Sequence, residues 1–327
     1  MKEKKVDNLE VEEFKKEEPR AEVLEDKNSQ YPHDSLKKIE EERTIFWNSY
    51  KMHNTLKMVV MMICLVAIVV AFIVIPKVMT GAAQAGVTIV IAVGALGGTY
   101  GYSVYVRRKF DRKMKVYFND YFNFVNDYVF SGKEYKEVEL QTPGKITLEE
   151  FNENLLFKDV VEAGSRGLTN FKYNGIEMSI VDCAGNIKAE KRMKPVFVGK
   201  MLRAKAAYKN EKPIIIYLKG NDRALPPTNL EGIKSVLEDD KMIIYSNNGQ
   251  WKKTIGPKVI KALEAIKTDK ILVDVAVCMY SEKLFVLMGY DDPLMVLPLQ
   301  TEFDYKPTEV YKKDMKHICN LVEVLNK

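Results

Sequence analysis

The 327-residue chain is poor in the residues that most often carry chemistry. It has three histidines and four cysteines, the latter scattered at positions 64, 183, 278 and 319. That scatter excludes a dense disulfide framework and any Cys-x-x-Cys zinc or redox motif, and three histidines leave little room for a His-rich metal site. Net charge is small too: 50 Lys and Arg against 45 Asp and Glu give +5, too little for the whole chain to bind nucleic acid as a polyelectrolyte. Phosphate-loop GK[ST], GxSxG and HExxH signatures are absent. An apolar fraction of 46% excludes a fully disordered chain. Over two stretches the sequence lacks charge altogether.

Those stretches are Met58–Pro76, 19 residues, and Val78–Val106, 29 residues, separated only by Lys77. A bilayer core of roughly 30 Å needs about 20 helical residues, so each run is long enough to span it. The first run, rich in Ile, Val, Met and Leu, has no polar stripe, which a soluble core helix would need. It also begins after more than fifty residues, too late for a cleaved signal peptide. The reading is a helical hairpin with its turn near residues 77–86. Lys37, Lys38, Arg43, Lys51 and Lys57 precede the first span; Arg107, Arg108, Lys109, Arg112, Lys113 and Lys115 follow the second. The positive-inside rule therefore places both termini in the cytoplasm of a multi-pass cell-membrane protein. Gly94-x-x-x-Gly98 and Gly97-x-x-x-Gly101 give the second span a face of small residues. Such a face serves either a homodimer or packing against the first span of the same chain. No Asp, Glu or Arg lies within a span, so an ion-coupled transport path has no charge site.

The flanks divide by composition. Residues 1–33 are charged and poor in large apolar residues, which predicts a disordered tail. Residues 34–55 repeat Leu36, Ile39, Phe46, Trp47 and Tyr50 at helical intervals, an amphipathic juxtamembrane helix leading into transmembrane helix 1 (56–78). Transmembrane helix 2 (84–106) is followed by a basic, then aromatic helix over 107–130. It could lie on the membrane surface or pack its aromatic side, Phe110 to Tyr128, on the domain that follows.

Residues 131–327 are enough for one compact core. Thr147-x-x-Glu150 is a capping-box helix start, and Asn174-Gly175 between alternating apolar positions marks a β-hairpin. Further strands are expected at Pro195–Ala206, Pro213–Leu218, Lys241–Ser246, Ile271–Met279, Leu284–Gly289 and Pro293–Leu297. Helices are expected at Asn229–Leu237, Gly256–Lys267 and Thr308–Asn326. Strands in runs with helices between or after them favour an α+β domain with mainly antiparallel sheet. The predicted fold is thus a membrane protein with a two-helix transmembrane hairpin and a cytoplasmic α+β domain.

The order of these features, with FNENLLF, the Asn174-Gly175 hairpin, PVFVGKML, MIIYSNNGQWKKTIGPKVIKALEAI and the closing strands KILVDVAVCMY and KLFVLMGYDD, resembles the domain-of-unknown-function 3137 family of bacterial membrane proteins. The strand around Phe197 and Gly199 carries Val198 where that family usually has Lys. The resemblance covers most of residues 35–327. It implies this architecture and a bacterial inner or plasma membrane, and no active residues.

Pairs that could carry chemistry dissolve on inspection. His317 and Cys319 are two apart on a helix and point about 200° apart. Asp182 and Cys183 are strand neighbours facing opposite sides. Asp291-Asp292-Pro293 reads as a turn initiator rather than a metal site. No catalytic, metal or cofactor-binding residue is assigned. Charge is more telling: residues 107–115 carry net +5 and residues 188–205 net +6, while the rest of the chain from 107 onward sums to −5. Arg107, Arg108, Lys109, Arg112 and Lys113, together with Lys188, Lys191, Arg192 and Lys194, are the candidate anionic-lipid contacts. The alternative for 188–205 is a solvated strand edge that Lys protects from aggregation. The expected function is a membrane-anchored, non-enzymatic binding module whose cytoplasmic domain engages a protein partner or anionic lipid, with no cofactor and no nucleic acid. A membrane-surface enzyme and an accessory subunit of a transporter are the alternatives.

Overall fold

The computed structural model describes residues 33–141, 144–190, 192–291, 299–301 and 306–327. The expected tail, all but its last residue, and the expected strand Pro293–Leu297 lie outside the described residues, as do Lys191 and the Asp292-Pro293 step.

Two long helices come first. α1 (His33–Val78) and α2 (Ala82–Val129) have 46 and 48 residues, each about 70 Å long at helical rise. Gly81 turns the chain between them with φ 69°, a left-handed conformation that glycine adopts without steric cost. The lead-in segment 34–55 and the apolar run after it form one unbroken helix, and so do the second apolar run and the aromatic segment. The two helices lie side by side. Phe46 of α1 meets Phe110 of α2 edge-on with ring centroids 5.6 Å apart, and Val106 completes this small cluster.

The rest is one antiparallel sheet, with α2 and two later helices on one face and a short helix on the other. It contains β1 (Tyr135–Gln141), β2 (Val160–Tyr173), β3 (Ile176–Ala189), β4 (Arg192–Leu218), β5 (Ser235–Glu238), β6 (Met242–Ser246) and β7 (Leu272–Tyr290). The strand order is β1-β2-β3-β4-β6-β5, with β7 pairing β4. Asn174 (φ 48°) and Gly175 (φ 86°) close the β2–β3 hairpin, as their tolerance of positive φ predicts. β7 doubles back at Ser281 (φ 55°): the Asp291 amide donates to the Ile271 carbonyl, and the Asp274 carboxylate lies at Gly289. Its two arms pair with the two halves of β4, Gly199–Lys205 and Ile214–Leu218.

Among the described residues, four helices or turns of helix lie between or after the strands of this frame. α3 (Leu148–Asn152) starts with the expected capping box, in which the Glu150 amide donates to Thr147 Oγ1 at 3.1 Å and the Thr147 amide to Glu150 Oε2 at 2.7 Å. α4 (Trp251–Thr254) is a single turn, and α5 (Pro257–Glu264) and α6 (Lys306–Leu325) match the expected helices within a few residues.

One expectation is overturned. Asn229–Leu237 is not a helix but a loop running into β5. Gly232 at φ 74° interrupts the segment, and its apolar residues part company. Leu230 and Ile233 pack with the cluster on one face of the sheet, Val236 and Leu237 with the cluster on the other, which one helix face cannot do.

The larger cluster lies between the sheet and α2, α5 and α6. It includes Tyr117, Tyr121, Phe122, Val125 and Val129 of α2 and Tyr311, Met315, Ile318, Leu321 and Val322 of α6. The aromatic half of α2 therefore packs on the domain. The opposite face is covered by Phe151, Leu156 and Phe157 beside Phe197. Gly199 explains the Phe-x-Gly strand: a Cβ there would overlap the Met288 carbonyl, so β4 and β7 approach as only glycine permits.

Candidate functional site

Both long helices contain segments long and apolar enough to cross a membrane. Most of their large apolar side chains are exposed: Ile63 is 63% exposed, Val90 71% and Leu96 63%. Gly94, Gly97, Gly98 and Gly101 are all exposed, and a Cβ added to any of them meets nothing within 4 Å. The glycine face of α2 therefore points away from α1. Packing against the first span of the same chain, one of the two readings of this face, is not what the structure shows.

The cations after the second apolar run form a collar on α2. Arg107, Arg108, Arg112 and Lys113 are exposed, with a loose Arg107–Asp111 contact at 3.8 Å, while Lys109 turns inward to His53 at 3.2 Å. The other basic segment proves narrower than its sequence span. Lys200 is buried and ion-paired with Asp182, Arg203 reaches Glu150 at 3.1 Å, and Lys205 reaches Glu282 at 3.4 Å. What remains is the tip of the β3–β4 hairpin, where Lys188, Arg192 and Lys194 are exposed.

Register creates a charged row that single-strand reading misses. Arg166, Asp182 and Lys200 are cross-strand neighbours on β2, β3 and β4. The Arg166 guanidinium lies 3.8 Å from Asp182 and 5.7–5.8 Å over the Phe118 and Phe122 rings, and the Lys200 ammonium lies 4.3 Å over Tyr311. The row thus joins the sheet to α2 and α6 through cation–π contacts. Asp182 and Lys200 each interrupt an apolar strand in sequence, whereas Arg166 lies in the polar stretch Gly164–Gly167; only strand register shows that the three pair. Beside the row is a recess of about 230 Å³ with Gly164, Ala184, Val198 and Tyr290 in its walls.

Other polar groups in the core are structural. Asp274 is 3% exposed; burial pushes its carboxyl up to about 6, against the opposing pull of the Leu225 and Gly289 amides, and Leu225 donates to it at 2.6 Å. Burial raises the Cys183, Cys278 and Cys319 thiols far from the range of a thiolate nucleophile. Burial, then Lys313 and Lys316, lowers His317. Asp291 is ion-paired with Arg223, and no cluster of three or more His, Cys, Asp or Glu suits a metal among the described residues.

No family model matches the chain, and no curated protein matches it in sequence. Among solved structures, the chain is similar to the crystal structure of the mycobacterial trehalose monomycolate transport factor A, TtfA. The identity is 9%, over 62% of this chain and 95% of that one, with a TM-score of 0.35. A likeness that low bears on neither fold nor function.

Proposed function

We propose that the protein is a membrane-anchored binding module of the bacterial cell membrane, without enzymatic activity. The α1–α2 hairpin spans the bilayer, both termini are cytoplasmic, and the sheet domain engages a protein partner or anionic lipid. The order of segments, and the Phe197-x-Gly199 strand whose glycine the β7 contact requires, lead us to place it with the domain-of-unknown-function 3137 family. The observation that carries the reading is the continuity of α2: its first half is apolar and exposed, and its second half is buried in the domain's main core. A soluble protein would leave the first half in water. The carboxylate in the recess beside Lys200, that of Asp182, is held by Lys200 and Arg166.

Two treatments of native membranes test this. The full chain should stay in the pellet through an alkaline carbonate wash. A Gly249→Cys variant, at an exposed site with open space around it, should react with a membrane-impermeant maleimide only after the membrane is opened, whereas Thr80→Cys in the turn should react before. Release by carbonate, or labelling of residue 249 from outside, overturns the reading.

A further inference from the structure

We propose that the tip of the β3–β4 hairpin, with Lys188, Arg192, Met193 and Lys194, is a second contact with the bilayer that binds anionic lipid headgroups beside the collar on α2; the proposal rests on the membrane reading above.

Direction comes from three contacts. Gly167 of β2 lies under Phe122, Thr169 Oγ1 donates to Asn126 Oδ1 at 3.0 Å, and the Phe171 and Phe130 rings are 4.8 Å apart. Two residues of strand, about 6.6 Å, match four of helix, about 6 Å, so β2 runs along α2 in the same sense. The start of β2 and the antiparallel end of β3 therefore point back toward the apolar half of α2. From Asp182, in the row beside Phe118 and Phe122, six residues of strand to Lys188 cover about 20 Å. That equals about 13 helical residues, which brings the tip toward the level of Lys109.

The tip also stands clear of its neighbours. β2 pairs with β3 only as far as Val160–Ile187, and β7 pairs with β4 only from Gly199–Gly289 onward. Past those limits the hairpin carries Lys188, Arg192 and Lys194 against Glu190, a net of +2 among the described residues. Lys188, Arg192 and Lys194 have no ion pair among the described residues, in contrast to the deeper Lys200, Arg203 and Lys205. Met193, 46% exposed, sits across from Lys188 among these cations. Lysines that merely guard a strand edge need no exposed apolar residue among them; a headgroup contact uses cations for the phosphates and an apolar side chain for the interface. Each cation at an anionic surface favours the docked tip about fivefold, so three together favour it about a hundredfold.

The test uses the full chain with Met193→Cys carrying an environment-sensitive fluorophore, in a Cys64→Ala background because the other three cysteines are buried. It is reconstituted in vesicles of phosphatidylcholine alone or with about 30% phosphatidylglycerol, the probe lipid. The expected result is a blue-shifted emission, quenched by spin-labelled lipid, only with phosphatidylglycerol. About 0.5 M salt should reverse it, and so should Lys188→Gln, Arg192→Gln and Lys194→Gln combined. The same label at Gly249→Cys, which follows the end of β6 paired to Ile214, should not respond. Emission that is identical in the two lipids, unchanged in the triple variant, or matched by residue 249 overturns the proposal. Carbonate release of labelled protein marks the failure of the membrane reading instead.

Discussion

Removing either partner of the Asp182–Lys200 pair has unequal consequences, and the structure gives the order. Lys200 is 3% exposed, and its ammonium is held by Asp182 and the Tyr311 ring. Asp182→Asn removes its carboxylate and leaves a buried ammonium without an anion, which costs about 3 kcal/mol or more. Lys200→Met keeps the length of the side chain and leaves Asp182 partly exposed, with Arg166 still 3.8 Å away. A carboxylate in that position retains a partner and water, so the cost is about 1 kcal/mol. For a domain of nearly 200 residues these figures translate to an unfolding midpoint lowered by about 6–12 °C for Asp182→Asn and about 2–4 °C for Lys200→Met. The double variant should lie above Asp182→Asn alone, because the lone buried charge is gone. The measurement is thermal unfolding of the full chain in mild detergent, followed by the β-sheet circular dichroism at one scan rate. If Lys200→Met proves as damaging as Asp182→Asn, or the double variant is worse than the sum of the singles, the charged row does not work as described.

Two further outcomes follow from other parts of the molecule. Asp274 has its pKa raised by burial from 3.8 to about 6, so the folded state holds a proton that the unfolded state has released. Its contribution is fully present below about pH 4 and lost as the pH rises through about 6, a change of about 3 kcal/mol. Denaturant unfolding between pH 4 and 7 should show this slope in the parent chain and not in Asp274→Asn; equal slopes refute it. Gly97 is open on the face turned away from α1, where we propose that a second copy docks. Gly97→Leu should leave carbonate resistance and the unfolding midpoint unchanged and lower the dimer fraction counted by single-molecule photobleaching in vesicles; an undiminished dimer fraction refutes the contact.

Local chemistry made some elements legible and tertiary pairing hid others. Thr147-x-x-Glu150 and Asn174-Gly175 satisfy backbone groups or φ requirements within a few residues, so they read the same in sequence and structure. The long helices were visible because lack of charge over 19 and 29 residues is itself the signal. β1 went unseen: Glu137 at φ 51° and the register shift between Lys136 and Glu139 break its alternation. Asn229–Leu237 has apolar residues at helical intervals, yet its two halves answer to opposite faces of the sheet. The Arg166–Asp182–Lys200 row needed strand register, which one sequence does not contain. In the basic segment 188–205, the sequence could not separate cations bound into the sheet from those at the hairpin tip, because charge counts ignore pairing.

The same continuity that supports membrane anchoring also determines how the domain is carried. No linker separates the apolar half of α2 from the half that forms the core; Tyr117, Tyr121, Phe122 and Val125 follow the basic collar within the same helix. A flexible tether would let the domain tumble, and any contact with headgroups would have to offset that freedom each time it formed. Here the helix, braced by Phe46 against Phe110 and by the Arg166 contacts with Phe118 and Phe122, fixes the angle between the spans and the sheet beforehand. The collar and the hairpin tip then stand at a set spacing, and binding at one raises the effective concentration of the other at the surface. For a dimer joined through the glycine face, the argument extends to both copies: stiff α2 helices would fix the two sheets relative to each other, so a partner could recognise the pair as one surface.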